Sequence, residues 1–196
     1  MTIKEEFELF RVKHNNVPPA KGLSLVSVPL LKDAYFKKTI VYLTEHNDDG
    51  SVGFILNKQL DFHLNQLLEG IPESEIPVYY GGPVANDSIH FLHTLGNEIP
   101  NTKHVRDNIF WGGDFYHVKE VLLKDIAKSE HIKFFVGYSG WDPYQLDKEI
   151  NQDTWLVTKI KTEQMFPVPE SWENILTQMG FKYELWSHFP EDALLN

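Results

Sequence analysis

At 196 residues, with 42% hydrophobic and 13% aromatic content, the chain has the size and apolar share for one cored domain. Its 18 basic and 28 acidic residues give a net charge of −10, and Arg11 and Arg106 are the only arginines, which disfavours direct nucleic-acid binding. The lack of cysteine excludes disulfides, thiolate nucleophiles and cysteine zinc sites.

The opening MTIKEEFELFRVKHNN is charged throughout and has no apolar h-region, so it does not read as a signal peptide. No segment nears the roughly 20 apolar residues of a membrane span, and a cytoplasmic protein is the simplest expectation. Ile3, Phe7 and Phe10 share a helical face, and HNNVPPAKG then ends the periodicity. Residues 1–20 therefore read as an arm and linker, and 21–196 as the domain. The arm's apolar face needs a covering surface, either the body of the same chain or a second subunit, so a homo-oligomer through the arm stays open.

A β-rich half follows. GLSLVSVPLL reads as a strand ending near Pro29. KTIVYLTEH and SVGFILN are strands joined through NDDG, a hairpin signal. FHLNQLLEGI reads as a short helix closed by Gly70 and Pro72, and IPVYYGGPV and SIHFLHTL as two more strands. In the second half, Asp114 can cap a helix with Phe115, Val118, Leu122 and Ile126 on one face. HIKFFVGY and TWLVTKI read as strands, and Trp172, Ile175, Leu176 and Met179 as a helix stripe terminated by Gly180. Strands and helices mix without regular βαβ alternation, which favours α+β over a doubly wound sheet.

FFVGYSGWDPYQL, residues 134–146, carries the main chemical question. It reads as a strand, a glycine turn and a helix, with Asp142 as N-cap, Pro143 in the first helical position and Gln145 completing a capping pattern. Ser139 fails as a hydrolase nucleophile because Trp141 stands where the elbow requires its second glycine. Two readings remain. The helix start could cradle an anion, or Gly137 and Gly140 could simply allow a corner while Tyr138 and Trp141 pack inward. The second is favoured, since a capping Asp142 would already occupy the free N–H groups.

The other constellations are weak. EHNDDG starts like a calcium loop, but its twelfth position is Leu56, so it reads as a hairpin turn. His90 and His93 lie three apart in a strand and point to opposite sides, so no metal site is expected. GGPV lacks the helix of a phosphate loop, although its glycines could still rim a pocket.

PAKGLSLVSVPLL, TIVYLTEHNDDGSVGFILNK, VYYGGPV, FLH, FFVGYSGWDPYQLDKEI and TWLV together resemble the AlgH/YqgE family in order and spacing. The resemblance runs from about Pro19 to Gly180. It implies a single α+β domain of two intertwined, extended and mostly antiparallel β-sheets with flanking helices. Two positions depart from the family pattern. Lys58-Gln59 replaces the family's Arg-Pro, and Tyr144 replaces the glycine of its Pro-Gly-Gln-Leu.

Family members are commonly called transcriptional regulators, a name tied to alginate control, and no catalytic residue carries over. The resemblance and the motifs together nominate His46, Asn57, Gly81, Gly82, Pro83, His93, Gly137, Tyr138, Gly140, Trp141 and Gln145 as ligand-binding candidates. No cofactor and no metal are expected. The favoured expectation is a non-catalytic module for a small molecule or a protein, with an indirect regulatory role. A DNA-contacting regulator and an enzyme with a site near Gly137–Trp141 are the alternatives.

Overall fold

The computed structural model describes residues 11–71, 76–124 and 128–189. The expected arm helix around Ile3, Phe7 and Phe10 lies outside these residues, as do Pro72 and Ile126. The strands are β1 (Ser24–Ser27), β2 (Ile40–Asn47), β3 (Gly50–Ile55), β4 (Gln59–His63), β5 (Pro77–Tyr80), β6 (Val84–His93), β7 (Lys103–Arg106), β8 (Ile109–Trp111), β9 (Ile132–Trp141) and β10 (Trp155–Thr158). The helices are α1 (Leu64–Leu67), α2 (Phe115–Leu123), α3 (Gln145–Asn151), α4 (Trp172–Gln178) and α5 (Phe181–Ser187).

Two sheets interlock through β9, in a mostly antiparallel α+β fold. One runs β10–β1–β2–β3, and the other contains β6–β8–β7 with β5 and β4. The early part of β9 pairs antiparallel with β6, Phe134 opposite Phe91, and parallel with β5, Phe134 opposite Val78. Its last residues cross to β3, with Ser139 opposite Gly53 and Trp141 opposite Ser51.

Burial follows the two-residue period of the strands. Leu25, Val41, Leu43, Trp155 and Val157 pack toward α3, with Leu146 and Ile150. The alternate residues Val26, Tyr42, Phe54, Leu156 and Phe135 meet Trp172, Ile175 and Leu176 of α4 and Trp186 of α5. In the second sheet Val78, Phe91, Ile132 and Phe134 are covered by Leu64 of α1 and Val118 and Leu122 of α2. Sheets covered on both faces read as nearly continuous apolar runs, and β1 is buried at every position.

Local signals set most boundaries. The Asp114 side chain accepts from the Tyr116 and His117 N–H groups, as expected of the α2 cap, and Ser171 does the same for Asn174 in α4. Asp48 and Asp49 alone join β2 to β3, so the hairpin reading of EHNDDG holds. Two expectations are corrected. The glycine turn at Gly137–Gly140 does not exist, because β9 runs unbroken through Trp141. Asp142 does not cap α3. The helix starts at Gln145 behind a left-handed Tyr144, φ 62°, which leaves Pro143 outside it. Only half of the capping pattern forms, with Gln145 Oε1 accepting from the Asp142 N–H. β4, the β7–β8 hairpin and α5 had no counterpart in the sequence reading.

Candidate functional site

The two glycine-rich segments do converge, and they fill the space between them with backbone. A Cβ on Gly82, φ +149°, would lie 2.4 Å from the Ser139 nitrogen. A Cβ on Gly137, φ +67°, would lie 2.6 Å from the Gly82 carbonyl oxygen. Only glycine tolerates both the conformation and the approach, and just beyond Gly137 β9 passes from β6, with Tyr138 opposite Val84, to β3, with Ser139 opposite Gly53. Ser139 is 0% exposed and its hydroxyl donates to the Gly81 carbonyl. It is a buried strand residue, consistent with its rejection as a nucleophile.

Other nominated side chains are also committed internally. Asn57 accepts from the Ile40 N–H and donates to the Lys38 carbonyl, fixing the start of β2. His93 is 0% exposed. Its Nδ1 accepts from the Leu95 N–H at 3.2 Å, so its Nε2–H faces the Gly112 carbonyl and the Thr102 hydroxyl. Burial holds its pKa below the usual histidine value against the opposing Gly112 bond and Glu98 charge. His90 points the other way, onto Phe54 and Tyr138. No group of three or more metal-ligating side chains occurs among the described residues.

Trp141 and Gln145 belong to a cluster that sequence reasoning missed. One oxygen of Glu149 accepts from the indole N–H groups of Trp141 and Trp155, at 2.9 and 2.8 Å. The other accepts from Gln145 Nε2 at 3.0 Å. Phe36 stacks against Trp141 and meets Trp155 edge-on. This carboxylate ties the end of β9, α3 and β10 together. The spacing from Gln145 to Glu149, one helical turn, is the signal that could have revealed it.

Beside this cluster, at the join of the two sheets, lies an open groove of about 400 Å³. The β2–β3 hairpin supplies Glu45, Asn47, Asp49 and Ser51, and the end of β9 and the approach to α3 supply Tyr138, Gly140, Trp141, Asp142 and Gln145. Three carboxylates thus face it, with Glu45 paired to Lys103 at 2.9 Å. A neighbouring concavity of about 250 Å³ holds His46, Asp48, Ser51, Tyr144 and Asp147. There the His46 Nδ1 and the Ser51 hydroxyl are 2.8 Å apart. Asn57, Gly81, Gly82, Pro83, His93 and Gly137 line neither space.

Lys133 is the other group without a sequence forewarning. It is 2% exposed, its ammonium lies 3.6 Å from the Tyr79 ring centre and donates to the Pro167 carbonyl. Burial pushes its pKa down to about 7.

The comparisons agree with this architecture. The curated relatives include UPF0301 proteins of Bacteroides thetaiotaomicron, 38% identical over 96% of this chain and 97% of the relative, and of Cytophaga hutchinsonii, 40% identical over 90% and 98%. Among solved structures, a Corynebacterium diphtheriae protein superposes with a TM-score of 0.73 at 20% identity, covering 96% of this chain and all 100% of its own. The solution structure of AlgH from Pseudomonas aeruginosa gives 0.69 at 24% identity, covering 91% and 100%. A family model described as AlgH-like matches residues 24–184. With most of its length inside that match, the chain belongs to the AlgH-like family.

Proposed function

We propose that the chain is a non-catalytic cytoplasmic binding module with an indirect regulatory role, and that its ligand is a positively charged group, an organic amine or a basic side chain of a protein. The groove between the β2–β3 hairpin and the end of β9 is the seat. The supporting observation is a contrast in how polar groups are used. Ser139, Asn57 and His93 spend theirs on internal bonds, and Glu45 is paired to Lys103, whereas Asp49 and Asp142 rim an open concavity. Such a rim attracts cations and repels phosphates, which weighs against a DNA-contacting role.

The test is an amide-resolved NMR titration with spermidine and with a lysine-rich peptide. Shifts centred on Gly50, Val52 and Gly140 are expected, and Asp49→Asn with Asp142→Asn should abolish them. Unmoved spectra with both probes reject the cationic ligand, and salt-sensitive retention of duplex DNA would favour the regulator that contacts DNA.

A second reading has one observation in its favour, the Ser51–His46 hydrogen bond beside the smaller concavity. A serine with an imidazole base is the start of an acyl-transfer site. Among the described residues no hydrogen bond to a carboxylate orients the other His46 nitrogen, so the pair is incomplete as a triad. Labelling of Ser51 by a fluorophosphonate probe, lost in His46→Ala, would establish this reading, and an unlabelled protein dismisses it.

A further inference from the structure

The open edge of the first sheet is β10, and the third of its four residues, Val157, is met by a side chain instead of a strand. Asn15 Nδ2 donates to the Val157 carbonyl at 2.7 Å, and Asn15 Oδ1 accepts from the Val157 N–H at 3.1 Å. A carboxamide carries the donor and acceptor of a peptide group, so Asn15 occupies the two-bond position that a further strand would fill. The neighbouring residue fastens it. The His14 backbone N–H and ring Nδ1 both reach Asp153 Oδ1, at 2.8 and 2.7 Å. Val12 adds a contact with the main core. Unpaired peptide groups on an edge strand are a template for another chain, and proteins commonly block them.

We propose that residues 12–16 form a removable guard over β10, and that the uncovered edge pairs with β10 of a second copy of this chain. The edge is self-complementary. In an antiparallel pair about a two-fold axis, a residue facing its own copy exchanges both N–H···O bonds with it. Val157 presents the N–H and C=O that this requires, and they are the groups Asn15 engages. β10 has only four residues, so such pairing gains few bonds, and one carboxamide held by the His14–Asp153 contact competes with it in cis.

Sedimentation velocity and amide hydrogen exchange on the full chain and on Asn15→Ala, over a wide concentration range, test this. The variant should gain a species of doubled mass as concentration rises. Its Val157 amide should exchange quickly when dilute and become protected when concentrated, while the parent keeps that amide protected throughout. Asn15→Leu, of similar size but lacking both the donor and the acceptor, is the second variant and should shift in the same direction. Variants that stay at the parent's mass at every concentration overturn the pairing. Val157 protection that survives dilution in both variants overturns the guard, and so does a parent already paired through β10.

Discussion

The hydroxyl of Ser139 donates to the carbonyl of Gly81 across 3.0 Å, joining β9 to the end of β5 where the two sheets exchange partners. The Gly81 oxygen also accepts from the Ile55 N–H at 3.0 Å, so it keeps a partner when the serine is removed. Ser139→Ala should therefore lower stability by about 1 kcal/mol, the usual net worth of one internal hydrogen bond. Gly82→Ala should cost far more, because its Cβ would meet the backbone nitrogen of Ser139. Urea unfolding of both variants checks the order, and a Ser139→Ala loss as large as that of Gly82→Ala would contradict it.

How much of this was legible follows from range. Strands such as β2, β3 and β10 announce themselves through apolar runs and turn residues, and the Asp114 cap lies next to the helix it starts. The glycines of FFVGYSGW suggest a corner because glycine ordinarily weakens a strand. Here they admit β5 and β6 at close range to an unbroken strand, and that need comes from residues some fifty positions away, such as Gly82. The Asp142 cap is displaced because Tyr144 takes the left-handed conformation and α3 begins only at Gln145. Of the nominated residues, Tyr138, Gly140, Trp141, Gln145 and His46 do reach a concavity. Glu45 and Asp49, weighed only within the EHNDDG hairpin turn, are not among the nominated residues, because a charged hairpin end looks like a solvated surface until β9 is seen beside it.

Glu149 should be sensitive to an isosteric change. A carboxylate can accept from both indoles and from Gln145 at once, whereas an amide in its place turns one acceptor into a donor facing N–H groups. Hydrogen bonds to a charged acceptor are worth roughly 1.5–3 kcal/mol, so Glu149→Gln should destabilise by about 2 kcal/mol. Tryptophan fluorescence should shift to longer wavelength as Trp141 and Trp155 loosen. An unchanged spectrum with unchanged stability would show that the shared carboxylate is dispensable.

Tyr144 offers the opposite sign. It holds φ 62° with 74% of its surface exposed, so it bears the steric cost of the left-handed region while packing little. That cost is about 1–2 kcal/mol for a residue with a Cβ, and the added freedom of glycine in the unfolded chain returns about 0.4–1 kcal/mol of it. Tyr144→Gly, which restores the family's residue, should raise stability by about 0.5–1 kcal/mol. A lower melting temperature would mean that the tyrosine ring makes contacts that outweigh the backbone strain.

Lys133 should make stability rise with pH. Its native pKa, about 7, lies below the ordinary 10.5 because burial penalises the ammonium. Between those limits the unfolded chain binds the proton that the folded chain has released, so unfolding becomes less favourable as pH increases. Each pH unit in this window adds up to about 1.4 kcal/mol. Below pH 7 both states are protonated and the dependence vanishes. Tyr42 acts in the reverse sense only at higher pH. Its native pKa is raised by burial and by Asp107, against the lowering by Arg106, so stability is lost once the unfolded tyrosine ionises near 10. The informative range thus ends below pH 9.5. Lys133→Met should flatten the profile between pH 7 and 9.5 and stabilise the protein at pH 7, since an apolar side chain of similar length fills the space beside Tyr79 and Phe166 without a charge to bury. A parent profile as flat as that of the variant would mean that Lys133 keeps its proton in the folded state, held by the Tyr79 ring and the Pro167 carbonyl.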